Sequence, residues 1–389
     1  MKRWPTKPLG ELIAIEKGKK APEVFATPTK TSLRYLQIED LRPSANLKYC
    51  EPFACPRATK FDAIIAWDGA NAGTVSCNLD GHIGSTLAIL RPITTSALSA
   101  PFLSRFLEGN FGYLQKTATG ATIPHVSKGA LTALQIPVPP LAEQERIVKL
   151  LDEADELRKL RAQADRSSVA LIPALFHEMF GDPTKNTGNW KRKTFADLLD
   201  GIDSGWSPTC HDKAAQPDEW GVLKLGAVTT CQYLDTETKA LPEKFAPRPE
   251  LEVKVGDLLF TRKNTYELVA ACAFVFETRP RLMLSDLLFR FRLKPDIEIN
   301  PVFLWGLLTV PNKRRQVQAL AGGSAGSMPN ISKGRLMTLP IEVPPLPLQN
   351  EFAQRMTEIR ELEANQAISR TRLDALFQSM LHRAFNGEL

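Results

Sequence analysis

The chain repeats itself, and no other feature restricts its fold so tightly. Residues 124–180 align without a gap to residues 329–385 at a constant offset of 205, with 20 of 57 positions identical. The densest stretch sets SKGALTALQIPVPPLAEQ (127–144) against SKGRLMTLPIEVPPLPLQ (332–349), where 11 of 18 match. A duplication of this kind means that one structural unit is built twice, so the length of 389 residues is read as two copies rather than one large domain.

Weaker echoes extend the repeat upstream. WPTKPLGELI near the start resembles WKRKTFADLL from Trp190, and PFLSRFL from Pro101 resembles VFLWGLL from Val302. Each copy is therefore a globular segment followed by a helical one, with boundaries at 1–140, 141–183, 184–345 and 346–389. Within the globular segments, short apolar runs such as LRYLQI, FDAIIAW and TLAILR, then GDLLFTR, VAACAFVF and LLFRFRL, are separated by Gly, Pro, Asn and Asp. Runs of that length predict strands. A helix is expected near Pro101 and another near Pro301, since proline is tolerated in a first turn. The fold class is α+β, with two similar mixed α/β domains.

After the Pro-Pro-Leu punctuation the apolar period changes. Ile147, Leu150, Ala154, Leu157, Arg161, Ala164, Ser168, Leu171 and Leu175 follow alternating steps of three and four, and the second copy gives Phe352, Arg355, Ile359, Leu362, Gln366, Ser369, Leu373, Leu376 and Met380. These heptads predict two long helices pairing as an antiparallel coiled coil, with an interhelix seam of Ile147, Leu150, Leu157, Leu171 and Leu175 against Phe352, Ile359, Leu362, Leu373, Leu376 and Met380. Each helix would span about 57 Å, with Pro173 placed to kink the first. Antiparallel pairing of duplicated helices relates the two domains by an approximate two-fold, the arrangement a bipartite target needs.

The charge is divided along the same lines. The total is only +6, but residues 1–140 carry 16 Lys and Arg against 10 Asp and Glu, and residues 184–345 carry 22 against 18. The two helical segments run the other way, at 6 against 9 and 5 against 6. A surface that neutralises phosphates must be locally basic, so the globular segments, not the helices, are the expected nucleic-acid face. Basic clusters fall at Lys17, Lys19 and Lys20; at Lys191, Arg192 and Lys193; at Arg262 and Lys263; and at Lys313, Arg314 and Arg315.

Catalytic signatures are missing. There is no GxxxxGK[ST] phosphate loop, and the Pro-Pro pairs are followed by Leu141 and Leu346 rather than by the aromatic residue of an amino-methyltransferase motif. His125 in the repeated loop has Asn330 as its counterpart, an exchange that suits hydrogen-bonded recognition better than acid–base chemistry. One loose nuclease-like set, Asp218 after Pro217 with Glu237 and Lys239, gives an alternative reading as a self-contained metal-dependent nuclease. A helical protein–protein adaptor is the third reading. Otherwise no metal site is expected; the six cysteines have no zinc-ligand spacing and read as reduced thiols. The start has no apolar run suited to a signal peptide, and no segment reaches about 20 apolar residues, so a cytoplasmic protein without a membrane partner is expected.

Trp4 with Leu9, Gly10, Glu11 and Leu12, the block IPVPPLAEQERIV (136–148), its degenerate copy IEVPPLPLQNEF (341–352) and the ending AFNGEL resemble the specificity (S) subunits of type I restriction-modification systems. The resemblance covers essentially the whole chain through its domain order. It implies a non-catalytic subunit whose two target-recognition domains each read half of a split, asymmetric double-stranded DNA sequence, with the helices as spacer. It also implies docking of two modification subunits, and of restriction subunits in the full complex. S-adenosylmethionine, ATP and magnesium are then used by those partners, and this chain holds no cofactor. Glu143, Gln144 and Gln349 are the expected partner-binding positions. The second copy has Pro347 and Leu348 where the first has Ala142 and Glu143, so a contact made by Glu143 is not duplicated.

Base reading needs polar side chains on loops that reach a groove. In the first domain the candidates are Lys17, Lys19, Lys20, Asp68, Asn71, Thr122, His125 and Lys128. In the second they are Ser204, Arg262, Lys263, Asn264, Tyr266, Ser327, Asn330 and Lys333. Trp67 and Trp206 are expected to pack.

Overall fold

A computed structural model describes the chain except for residues 1–3, 43–45, 121, 169–170 and 323–327; the side chains of residues 167–168 are also left aside. The chain forms two compact units, Met1–Gln163 with Gln366–Leu389, and Ala164–Asn365. Each unit therefore contains one globular segment and part of both helical segments. The helices are Leu141–Ser168, Leu171–Phe180 and the continuous Leu346–Phe385.

In the first unit a four-stranded antiparallel sheet has the order Ile13–Lys17, Leu87–Pro92, Ala63–Ala66, Val75–Cys77. The second unit repeats it as Leu199–Ser204, Leu288–Leu293, Leu258–Thr261, Cys272–Phe274. The continuous apolar runs of these strands are explained by burial on both faces. Ala63 and Ile65 join one core with the helix Ala100–Gly109, while Ile64 and Ala66 join another with Leu36, Ile83 and Ile89. In the second unit Leu258 and Phe260 face one core, and Leu259 and Leu288 the other.

Each main sheet carries an ionic brace on equivalent acidic positions, though the arginines come from strand positions two residues apart. Arg91 reaches Glu16 at 2.6 Å and Asp62 at 2.9 Å, and Arg290 reaches Asp203 at 3.0 Å and Asp257 at 3.4 Å. A smaller sheet lies on the far core of each unit. In the first it has the order Tyr49–Cys50, Leu33–Leu36, Gly81–Ile83, Arg57–Ala58; in the second, Thr238–Ala240, Gly221–Leu223, Leu282–Met283. Leu33–Leu36 with Gly81–Ile83, and Gly221–Leu223 with Leu282–Met283, are the parallel pairs.

The repeated Ser-Lys-Gly marks a helix start in both copies. Ser127 Oγ accepts from Ala130 N and Ser332 Oγ accepts from Arg335 N, each at 3.3 Å, which satisfies a first-turn donor. The strands that follow, Gln135–Pro137 and Pro340–Val343, pair with Thr6–Pro8 and Lys191–Thr194. They return the chain to the base of each domain, where the long helices begin at Leu141 and Leu346.

Within each unit the helices run antiparallel. In the first, Arg146 donates to the backbone oxygen of Leu389 at 2.8 Å and Arg158 to Asp374 at 2.8 Å. In the second, Phe176 and Phe180 each pack on Phe352 with centroids 5.6 Å apart.

The seam differs from its expected register. Ile147 and Phe352 are fully buried, but the next buried positions are Leu151, Ala154 and Met356, with Phe377, Leu381 and Ala384 at the other end. The step after Ile147 and Phe352 is four residues rather than three. Leu150, Leu175, Ile359, Leu373 and Met380 are only half-buried. Leu157, Leu171, Leu362 and Leu376 are outside the seam altogether, 53%, 42%, 47% and 50% exposed. The cause is side-chain size: Met356 and Phe377 offer more apolar surface to bury than Arg355 and Leu376 in the competing register. None of the described helices is long and apolar enough to cross a membrane.

Candidate nucleic-acid interface

At one end of each main sheet two loops converge on one backbone frame. In the first unit the strand Ala63–Ala66 runs into Trp67, Asp68 and Gly69, and the repeated loop folds back onto them. Val126 N donates to Trp67 O and Gly69 N donates to Pro124 O, both at 2.9 Å. In the second unit Ile331 N donates to Arg262 O at 2.8 Å and Asn264 N to Pro329 O at 3.4 Å. Isolated bridges join Asp68 to His125 and Lys263 to Asn330, so these are equivalent pairs. Each loop is also closed on itself, by Thr119 with His125 and by Gly322 with Asn330.

The side chains on this common frame differ. In the first unit His125 Nδ1 lies 2.6 Å from Asp68 Oδ1, and Lys17 Nζ lies 3.4 Å from Asp68 Oδ2 and 5.5 Å from the centre of the Trp67 ring. Asn71 accepts from Arg42 at 2.8 Å. Arg42 is exposed and was missed by the sequence reading, because it lies 29 residues upstream with no motif to mark it. Thr122, Lys20 and Lys128 are exposed, and Lys19 is exposed but donates to Ala54 O at 2.7 Å.

In the second unit Arg262 donates to Asn330 Oδ1 at 3.2 Å, and its guanidinium sits 5.0 Å from the Phe289 ring centre. Lys263 and Tyr266 are exposed, and Ser204 is half-buried at the strand end. One candidate turns inward. Asn264 is 6% exposed, its Oδ1 accepting from Thr265 N and its Nδ2 reaching Thr229, so it holds the loop's shape and does not face a groove. Lys333, at the start of the helix Lys333–Met337, is exposed and donates to Ile202 O at 2.6 Å. Ser327 lies outside the described residues.

Other expectations change with burial. Lys313 is fully buried against Glu342 at 2.7 Å, and burial pulls its pKa down despite that partner. The same Glu342 reaches Arg192 at 3.3 Å. Arg314 donates to Glu267 O, and Arg315 to Asn312, so the Lys313, Arg314 and Arg315 cluster braces the domain. Trp67 is buried as expected, whereas Trp206 is half-exposed with Arg248 stacked 4.1 Å from its ring.

The nuclease set does not converge: Glu237 pairs with Lys224 at 3.6 Å, Lys239 with Asp212 at 3.1 Å, and Asp218 offers its carbonyl oxygen to Arg281. Among the described residues no group of three or more His, Cys, Asp or Glu could hold a metal ion.

The partner-binding expectation is overturned for both glutamines. Gln144 is fully buried: its Oε1 accepts from Ser99 N at 3.0 Å, and its Nε2 donates to Ala97 O at 2.8 Å and Pro139 O at 2.9 Å. Gln349 does the same, accepting from Asn300 N at 2.8 Å and donating to Glu298 O at 3.3 Å and Pro344 O at 2.7 Å. Neither presents a free group to a partner. Glu143 stays on the helix surface in a two-pronged pair with Arg146.

Each unit thus carries a loop-built frame of the same backbone pattern with a different set of polar side chains. A family model described as the type I restriction modification DNA specificity domain matches residues 1–165. The chain is 33% identical to the EcoEI specificity subunit of Escherichia coli, a match that takes in 50% of this chain and 32% of that subunit's length. Similarity to the MjaVIII specificity subunit of Methanocaldococcus jannaschii, at 24% identity, covers 92% of this chain and 86% of that one. The fold resembles the S subunit from M. genitalium, with TM-score 0.56 and 13% identity over 98% of this chain and 96% of that one. It also resembles a chain from a study of complex assembly in the type I R-M system, with TM-score 0.65 and 19% identity over 100% and 99%. Residues 1–165 thus match a type I restriction modification DNA specificity domain, and over nearly its whole length the chain is similar in sequence or fold to type I specificity subunits.

Proposed function

We propose that each unit reads one half of a bipartite, asymmetric double-stranded DNA target through its two-loop frame, while the helices set the gap between the halves. The carrying observation is one backbone frame with two different side-chain sets: Asp68 and His125 in the first unit, Lys263 and Asn330 in the second. An acceptor-and-imidazole pair and an ammonium-and-amide pair present different hydrogen-bonding patterns to base edges, so two copies of one fold read unlike half-sites.

Two modification subunits dock on the helical segments, and restriction subunits join them in the full complex. The exposed leucines support this: Leu157 and Leu362, and Leu171 and Leu376, occupy equivalent repeat positions. A duplicated apolar surface suits two copies of one partner. S-adenosylmethionine, ATP and magnesium belong to those partners, and the assembly works in the cytoplasm.

Methylation mapping on the DNA of a host carrying this chain with its modification subunit tests the reading. A bipartite motif is expected, and replacing residues 1–140 with another family member's domain should change one half only. Methylation without a bipartite motif, or a change in both halves, would overturn it.

A further inference from the structure

We propose that Gln144 and Gln349 are positioning residues, each locking a recognition domain to its spacer helix, and that these locks make the complex selective for the gap between half-sites. This rests on the function proposed above. Both side chains are fully buried, and each uses its acceptor and two donors on three separate points of backbone. A buried amide satisfied at every point in a low-dielectric setting resists reorientation, because breaking any one bond leaves a desolvated polar group.

The three points are the joint itself. Pro139 and Pro344 are the turns from which the long helices start, and Gln144 and Gln349 lie in the first turns of those helices. The remaining partners lie at the entry to the helices Ala100–Gly109 and Pro301–Thr309. Ser99 and Asn300 cap those helices with their own side chains, at 3.4 Å to Phe102 N and 2.9 Å to Val302 N. Those helices in turn pack on the main-sheet strands Ala63–Ala66 and Val75–Cys77 in the first unit and Cys272–Phe274 in the second. One side chain thus joins the spacer, the turn and the reading domain.

Helix length turns a small slack at this joint into a large one at the target. A spacer of about 40 residues is roughly 60 Å long. A tilt of about 5° at one end displaces the other by roughly 5 Å, more than the 3.4 Å rise of one base pair. Without the locks, a gap one base pair too long or too short is no longer rejected.

The test uses the full chain assembled with its modification subunit. The variants are Gln144→Ala, Gln349→Ala, and Gln144→Glu and Gln349→Glu, which keep the side chain's shape but remove its two amide donors. Methylation is followed on duplexes carrying the mapped half-sites at the native gap and at one base pair more or fewer. The ratio of native to shifted rates should fall at least tenfold in the variants, with the half-site bases still required. A purely structural role would slow methylation equally at every gap, and an unchanged ratio in the Glu variants overturns the inference. A wild-type complex with no bipartite preference would overturn the functional reading itself, which separates the two failures.

Discussion

The two domain–helix joints share the glutamine lock and a packed apolar core, but at one aligned position they use opposite chemistry. In the first unit Arg105, on the helix Ala100–Gly109, reaches across to the long helix and bonds Asp152 at 2.6 Å and Asp155 at 3.3 Å. In the second unit the aligned position is Gly306, and the rings of Phe352 and Phe176 close over it. A Cβ at Gly306 would come within 2.8 Å of the Phe352 ring, so the larger residue and the missing side chain form a matched pair. Phe352 itself stands at the repeat position of Ile147. An ionic joint weakens with salt and acid, whereas an aromatic one does not. The duplication therefore preserved the geometry of the joint while the physics holding it diverged.

The largest expected effect is at Phe352. Phe352→Ala removes a ring in edge contact with Phe176 and Phe180, and should cost about 3–5 kcal/mol in denaturant unfolding. A loss under about 1 kcal/mol would mean that the aromatic cluster does not carry the joint. The matched pair also predicts coupling. Gly306→Ala alone should destabilise by about 1–3 kcal/mol, and Phe352→Ile in the same chain should recover part of that loss. Strict additivity in the double-mutant cycle would contradict the pairing.

Much of this arrangement was legible in the sequence. The duplication, the strand runs and the helix starts at Leu141 and Leu346 follow from spacing alone, because backbone periodicity and turn residues are local. The seam register was not. Ile147 tolerates a following step of three or four, and only the volumes of Met356 and Phe377, set against a partner helix distant in sequence, select four. Asn264 is illegible for a similar reason: a polar residue in a loop reads the same whether it faces a groove or satisfies its own backbone. Gln144 and Gln349 were legible as a repeated motif but not as a lock, since their partners lie some 45 to 50 residues upstream.

Arg105→Ala comes next in size. The Arg105 side chain is mostly buried while Asp152 is half exposed, so a loss of about 1–2 kcal/mol is expected. Raising salt to 1 M should shrink this loss while leaving that of Phe352→Ala unchanged. Burial alone would raise the pKa of Asp155, but Lys159 and Arg105 outweigh it and hold the carboxyl below its ordinary value. A depressed carboxylate contributes stability that is present above its unfolded pKa of about 3.9 and lost as pH falls through the folded value. Acid below about pH 4 should therefore loosen the first joint and, through this contact, leave the second untouched. Equal acid and salt responses in both units would erase the contrast.

The smallest effect on stability is expected where the two units agree. Leu157 and Leu376 are about half exposed in the first unit, so Leu157→Ser with Leu376→Ser should shift unfolding by no more than about 0.5 kcal/mol. The same change at Leu171 and Leu362 in the second unit should be as mild. Assembly is the discriminating readout. If two modification subunits dock on these leucines as proposed, either double variant should lose one of them in sedimentation or native mass measurements, and all four substitutions together should lose both. Retention of both subunits by the quadruple variant would show that exposure of these leucines has no role in docking, leaving the duplicated positions as a mere trace of the ancestral repeat.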